Sequence, residues 1–168
     1  VNSRGIHTQG VFAFVNMLNK IISDYEPSHI AVAFDMKGGT FRHDVYKEYK
    51  AGRLKTPPEL LSQIPMMHEV LEALNIAVIE MPQYEADDII GTVACICGNN
   101  DWECIIATGD RDSLQLIDQH VKVKLVISKP GQTIYRIYDE SVFYEEYGFE
   151  PRKLIDLKAL MGDHSDNI

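Results

Sequence analysis

The chain has 168 residues, enough to bury a hydrophobic core as one domain, and 45% of them are hydrophobic and 24% charged, which is ordinary for a globular protein. No apolar run is long enough to span a bilayer and no signal peptide opens the sequence, so we expect no membrane partner. The cysteines form neither a CxxC pair nor a His/Cys spacing, which excludes the common zinc sites. The net charge of −9 by itself argues against a nucleic-acid partner.

Hydrophobic periodicity predicts helices alternating with strands along the chain. Helices are predicted at residues 9–26, 56–74 with a break at Pro65, 85–98, 114–117, 139–147 and 150–161. Strands are predicted at residues 30–34, 76–80, 104–108, 121–127 and 133–138, the last two as a hairpin, and the first as a strand buried on both faces. This alternation predicts an α/β fold with a largely parallel central sheet flanked by helices.

The charge is unevenly distributed. Residues 37–55 contain six basic and two acidic side chains, a net charge of +4 that leaves −13 on the rest of the chain. The segment mixes basic and aromatic residues, a composition that contacts phosphates and stacks on bases. Lys50 and Arg53 would share a face if this part were helical. This distribution suits a protein whose basic segment binds a polyanion and whose acidic residues bind cations beside it. The alternative is that the basic segment is a solvated loop.

Acidic residues follow the predicted strands, at the sheet edge where ligands bind in parallel α/β folds. They are Asp35, Glu85, Asp87, Asp88, Asp110 and Asp112, and Asp163 and Asp166 follow the last helix. The alternative is that the acids at residues 85–88 only open a helix, because helix N-termini favour negative charge. On a regular helix Glu85 and Asp88 would share a face and Asp87 would point elsewhere.

Eight convergent carboxylates without histidine or cysteine would suit two Mg²⁺ or Mn²⁺ ions, and two such ions suit phosphodiester hydrolysis. Lys50 and Arg53 would add positive charge near the scissile phosphate. The residues alone therefore predict a metal-dependent phosphodiesterase and do not choose between DNA and RNA.

Six segments in order resemble one known family. They are Phe34-Asp35, Phe41-Arg42-His43, Tyr49-Lys50-Ala51-Gly52-Arg53, Tyr84-Glu85-Ala86-Asp87-Asp88, Thr108-Gly109-Asp110-Arg111-Asp112 and Met161-Gly162-Asp163-His164-Ser165-Asp166-Asn167-Ile168. Together they resemble the bacterial 5′ nuclease family. This is the flap endonuclease-like 5′–3′ exonuclease domain found at the N-terminus of DNA polymerase I and as standalone relatives. The resemblance implies a PIN-like or resolvase-like nuclease core with a basic helical arch at about residues 37–63.

The resemblance also assigns residues. It implies metal ligation by Asp35, Glu85, Asp87, Asp88, Asp110 and Asp112, with Asp163 and Asp166 at the second of two Mg²⁺ or Mn²⁺ ions. Lys50 and Arg53 match the catalytic basic pair of the arch, and Arg42 and Tyr49 would join them in contacting DNA.

The implied function is two-metal hydrolysis of DNA at 5′ flaps and 5′ single-stranded ends in replication and repair, in the bacterial cytoplasm at the nucleoid. The family's first strand would precede Val1 and its helix–hairpin–helix would follow Ile168, so we expect residues 1–168 to be a single core domain truncated at both ends. Whether the parent chain also carries a polymerase domain stays an open question. The alternatives are a catalytically impaired DNA-binding fragment and an RNA-cleaving nuclease of a similar acidic α/β class.

Overall fold

The computed structural model describes residues 2, 3, 5–129 and 131–168. Its helices are α1 (Gln9–Tyr25), α2 (Phe41–Val45), α3 (Pro58–Leu61), α4 (Ile64–Ala73), α5 (Ala86–Asn99), α6 (Glu140–Tyr147) and α7 (Leu154–Met161). Its strands are β1 (Ala31–Ala33), β2 (Ala77–Ile79), β3 (Cys104–Thr108), β4 (Val121–Lys129) and β5 (Gln132–Tyr138). Two short 3-10 helices lie at Arg111–Leu116 and Pro151–Lys153. The contacts divide the chain into two compact units, so the single domain stays a prediction.

The first unit comprises Val1–Phe34 and Arg53–Glu80. Its strands β1 and β2 pair in parallel, and its core is built around Leu18 and Leu71. The prediction that the first strand is buried on both faces is wrong, because Ala31 is exposed and the other two residues of β1 are half-buried. In the described part of the chain β2 is the only strand that pairs with β1.

Pro65 divides the predicted helix at residues 56–74, as expected. The helix forms as α3 and α4, and Pro65 occupies the first turn of α4, where no intrahelical N–H is needed. The side chain of Gln63, at the junction, is buried and accepts the N–H groups of Gly10 and Val11 at 2.7 and 3.2 Å. The break in the helix therefore supplies a partner for the unsatisfied N-terminus of α1.

The second unit comprises Asp35–Gly52 and Met81–Ile168. Its sheet has the order β3-β4-β5, with β3 and β4 parallel and β4 and β5 antiparallel, which confirms the predicted hairpin. The core includes Val123, Tyr138 and Phe143, all fully buried. Gly148 ends α6 at a φ of 77°, the left-handed conformation that glycine tolerates best. The α/β class with parallel strand pairing is therefore confirmed.

The basic segment is less helical than the resemblance implies. Within residues 37–63, helix is confined to α2 and α3, and residues 46–57 are turns and irregular chain. Lys50 has a φ of 58°, which breaks any helical path through it. Lys50 and Arg53 therefore do not share a helical face.

No helix within the described residues is long and apolar enough to cross a bilayer.

Candidate metal and phosphate site

The acidic stretch before α5 forms the N-terminus of that helix. Glu85 precedes the helix with an extended backbone, and the Asp88 carboxylate accepts the Glu85 N–H at 2.9 Å. Asp87 and Asp88 lie in the first turn, where the helix dipole favours carboxylates. Helix capping explains one hydrogen bond of Asp88 but does not explain the surroundings of Asp87.

Four predicted metal ligands gather at this end of α5: Asp35, Glu85, Asp87 and Asp110, here named the carboxylate cluster. Asp35 Oδ1 accepts the Ala86 N–H at 2.7 Å, which fixes Asp35 at the helix start. The pKa of Asp87 is raised, first by burial and then by the negative charges of the other three members, which Lys50 offsets only in part. The charges of the other three members therefore make ionisation of Asp87 less favourable.

The expectation that Asp87 points away from the face shared by Glu85 and Asp88 assumes a regular helix through all three residues. Glu85 precedes that helix, because α5 begins one residue later, at Ala86. Glu85 is near enough to Asp87 for its charge to raise the pKa of Asp87. Asp87, which helical spacing sets aside, therefore lies among the predicted ligands.

Asp88 has a cationic partner of its own. The guanidinium of Arg42 donates to both carboxylate oxygens of Asp88, at 2.7 and 2.8 Å. This pair holds the pKa of Asp88 below its usual range. Arg42 also lies over the Phe41 ring, 4.6 Å from its centre. Arg42, a predicted DNA contact, thus joins α2 to the first turn of α5.

We predict measurable coupling between Arg42 and Asp88. A double-mutant cycle with Arg42→Gln and Asp88→Asn, followed by urea unfolding, should give about 1–2 kcal/mol, because the pair is bidentate and partly buried. The control is Lys47 with Asp44, whose 3.7 Å pair is 78% and 74% exposed and should couple by less than about 0.3 kcal/mol. Equal coupling in the two pairs would mean that Arg42 does not anchor α2.

Two further side chains of the basic segment, Tyr49 and Lys50, contact the carboxylate of Glu85. Lys50 Nζ lies 2.7 Å from Glu85 Oε2. The Tyr49 hydroxyl lies 3.2 Å from the same oxygen and 3.1 Å from Asp166 Oδ2, and it can donate its proton to either. Burial, followed by the charges of Glu85 and Asp166, raises the pKa of Tyr49. Tyr49 is only 6% exposed, so in this structure it contacts carboxylates from within the fold.

Two further predicted ligands, Asp112 and Asp163, meet at Lys158, a residue that the sequence did not single out. Lys158 Nζ lies 2.8 Å from Asp112 Oδ1 and 2.9 Å from Asp163 Oδ2. The pKa of Asp163 is lowered, first by its hydrogen bond with Ser165 and then by that with Lys158. The available signal was a single basic residue in the last turn of a helix that ends beside acids. Arg53 belongs to the first unit, and its predicted role stays a prediction.

The side chains fit a hard divalent cation in their chemistry. In residues 2–3, 5–129 and 131–168, no three His, Cys, Asp or Glu side chains lie close enough together to hold an ion as they stand. The donors of the carboxylate cluster are all oxygens, which Mg²⁺ and Mn²⁺ prefer. Desolvation raises the pKa of Asp87 first, and the negative charges of Asp110, Asp35 and Glu85, which a cation would offset, raise it further. Metal ligation by the eight predicted carboxylates stays a prediction.

Comparison with known proteins gives consistent sequence matches. Residues 1–148 match the family described as 5′-3′ exonuclease, N-terminal resolvase-like domain. DNA polymerase I of Bacillus caldotenax is 48% identical over 167 residues, and that of Bacillus subtilis is 45% identical over 167 residues. Each alignment covers 99% of this chain and 19% of the relative, so the chain spans about a fifth of the length of these polymerases.

Solved structures share the fold. A T5 protein co-crystallised with metal ions superposes with a TM-score of 0.74 at 22% identity, covering 97% of this chain and 66% of that one. A bacteriophage T5 flap endonuclease in complex with DNA and metal ions gives a TM-score of 0.70 at 21% identity, covering 99% and 62%. The predicted resemblance and fold class are confirmed, and the chain belongs to the 5′-3′ exonuclease family as its N-terminal resolvase-like domain.

Proposed function

We propose that this chain is the catalytic core of a metal-dependent 5′–3′ exonuclease and flap endonuclease that hydrolyses DNA at 5′ ends and 5′ flaps in replication and repair. The observation that carries the proposal is the carboxylate cluster at the start of α5, with Lys50 paired to one of its members. Family membership supports the proposal. A neighbour of the same fold was crystallised with DNA and metal ions, which agrees with a DNA substrate and a metal cofactor.

The eight carboxylates would hold two Mg²⁺ or Mn²⁺ ions. The first six (Asp35, Glu85, Asp87, Asp88, Asp110 and Asp112) follow strands or open α5, and Asp163 and Asp166 would serve the second ion. When bound, the ions would activate water and stabilise charge on the attacking and leaving oxygens. The chain's own part is to hold this negative charge in place: Ala86 N–H fixes Asp35, and the Asp112 N–H donates to Asp110 at 2.8 Å.

The basic segment would bring the phosphate to the carboxylates. Lys50 lies beside Glu85, so its ammonium can stabilise negative charge that develops on a phosphate there. Arg53 would add a second positive charge. Arg42 and Tyr49 are proposed DNA contacts, and their bonds to Asp88, Glu85 and Asp166 give them a further task. That task is to fix residues 42–50 against the start of α5.

The proposal places the protein on DNA at the bacterial nucleoid. The relatives are DNA polymerases of about five times this length, so a polymerase domain in the parent chain is part of the proposal. No membrane partner is proposed.

The choice between DNA and RNA is tested with two flap substrates of the same sequence. A 5′-labelled DNA flap and an RNA flap of the same sequence are incubated with the chain in Mg²⁺, Mn²⁺ or EDTA. We expect cleavage of the DNA flap near its base in either metal, slower cleavage of the RNA flap, and none in EDTA. Faster cleavage of the RNA flap would favour the RNA-cleaving alternative. Binding of DNA in EDTA and in metal, without cleavage, would favour the DNA-binding fragment.

A further inference from the structure

We propose that Lys158 is a built-in counter-ion for Asp112 and Asp163, which its ammonium group holds together until a divalent cation displaces it. The inference rests on the proposed function, because it assumes that these two carboxylates serve a cation. It assigns a positioning role to a residue outside the predicted site and sets a limit on how tightly the cation binds.

The geometry is a bridge between two separate elements. Asp112 lies in the first turn of the 3-10 helix after β3, and Asp163 follows Gly162 at the end of α7. Lys158 lies on α7 and reaches both, at 2.8 Å and 2.9 Å. One ammonium therefore joins acids that are 51 residues apart in the chain.

Both carboxylates are hydrogen-bonded and yet reach solvent. Asp163 Oδ1 accepts the N–H groups of Ser165 and Asp166, at 2.8 and 3.3 Å, and the Ser165 hydroxyl, at 2.7 Å, while Oδ2 binds Lys158. Asp112 is 38% exposed and Asp163 is 21% exposed at the side chain. A cation from solvent can thus reach both carboxylates, and it meets the ammonium when it does.

Electrostatics makes the two occupants competitors. A divalent ion binds carboxylate oxygens at about 2.1 Å, well inside the ammonium–oxygen distances here. An ammonium kept at those distances would lie within a few ångströms of the ion and repel it. Binding of the ion must therefore break the Lys158 bridge, and the lost ion pairs are subtracted from the metal affinity.

The test measures Mn²⁺ binding to the 168-residue chain, without DNA, by isothermal titration calorimetry and by electron paramagnetic resonance. Asp163→Asn identifies the binding step that uses Asp163. In Lys158→Gln, the dissociation constant of that step should fall about five- to tenfold, the effect of removing two partly exposed ion pairs and one positive charge. The melting temperature in EDTA should fall as well, because the two carboxylates then face each other without a cation.

Lys153→Gln is the matched control. Lys153 lies just before α7, pairs with Asp156 at 3.1 Å and is 66% exposed, so its loss changes the net charge equally but leaves the bridge intact. In Lys153→Gln, the dissociation constant of the Mn²⁺ binding step that uses Asp163 should change less than about twofold.

Two results would overturn the counter-ion role. An unchanged dissociation constant with a lowered melting temperature would make Lys158 a purely structural clamp. A raised dissociation constant would mean that Lys158 supports the metal ligands. If the unsubstituted chain binds no Mn²⁺, or if Asp163→Asn removes no step, then the two-ion site itself fails, and the counter-ion role fails with it.

Discussion

Asp87→Asn should reduce flap cleavage about a thousandfold and at the same time raise the melting temperature of the metal-free chain. The loss corresponds to about 4 kcal/mol of transition-state stabilisation, which removal of a metal-binding carboxylate can produce. The gain follows because desolvation, and after it the charges of Asp110, Asp35 and Glu85, raise the pKa of Asp87. Solvent screens these charges at the exposed Asp87 side chain, so we expect a gain of about 0.5 kcal/mol, which would raise the melting temperature by about 1–2 °C in a chain of this size.

The change in melting temperature caused by Asp87→Asn should also depend on pH. The folded pKa of Asp87 lies above its unfolded value, so ionised Asp87 lowers stability as pH rises through that interval, starting at about pH 4. The difference in melting temperature between Asp87→Asn and the unsubstituted chain should therefore be small near pH 4 and larger at pH 7. Both measurements are made in EDTA.

Asp156→Asn serves as the control for Asp87→Asn. Asp156 is 65% exposed and pairs with Lys153, so its neutralisation should leave cleavage unchanged and should not raise the melting temperature. A stable, fully active Asp87→Asn variant would remove Asp87 from the metal site. A variant that is inactive and also less stable would show that the carboxylate supports the fold instead.

Lys50→Gln should lower the maximal rate of flap cleavage about a hundredfold, with a smaller change in KM. Lys50 Nζ lies 2.7 Å from Glu85, so its charge lies next to the carboxylate cluster, where a reacting phosphate would gain negative charge. The measurement is steady-state cleavage in Mg²⁺, with the fold checked by circular dichroism.

Lys47→Gln is the comparison for Lys50→Gln, because Lys47 belongs to the same segment but is 78% exposed and 3.7 Å from Asp44. It should change the rate less than about twofold. If Lys50→Gln raised KM and left the maximal rate intact, Lys50 would bind substrate uniformly and would not act in the chemical step.

Local patterns predicted most elements because their causes are local. The apolar run at residues 104–108 became β3, Pro65 divided a helix, and Gly148 ended α6. Asp35 and Asp110 lie near the start of α5, but β1 and β3 belong to separate sheets, so the direction of strands in one sheet does not explain their meeting. Their role as metal ligands stays a prediction.

Pairings between distant residues were not predictable from spacing. Arg42 and Asp88 are 46 residues apart, and neither carries a local sign of its partner. Lys158 lies in an apolar helical pattern, so its bridge to Asp112 becomes visible only when α7 is placed. Tyr49 is buried and contacts Glu85 and Asp166, whereas the family resemblance implied that it contacts DNA.

The most direct test of the metal-dependent nuclease compares cleavage of a 5′-labelled DNA flap by the unsubstituted chain and by Asp110→Asn. The asparagine keeps the side-chain oxygen that accepts the Asp112 N–H, so the local fold should be retained while the charge is lost. We expect cleavage by the unsubstituted chain in Mg²⁺ or Mn²⁺, none in EDTA, and a loss of about a thousandfold in Asp110→Asn with flap binding retained. Cleavage that persists in EDTA, or at an equal rate in Asp110→Asn, would contradict hydrolysis by metal ions held at these carboxylates.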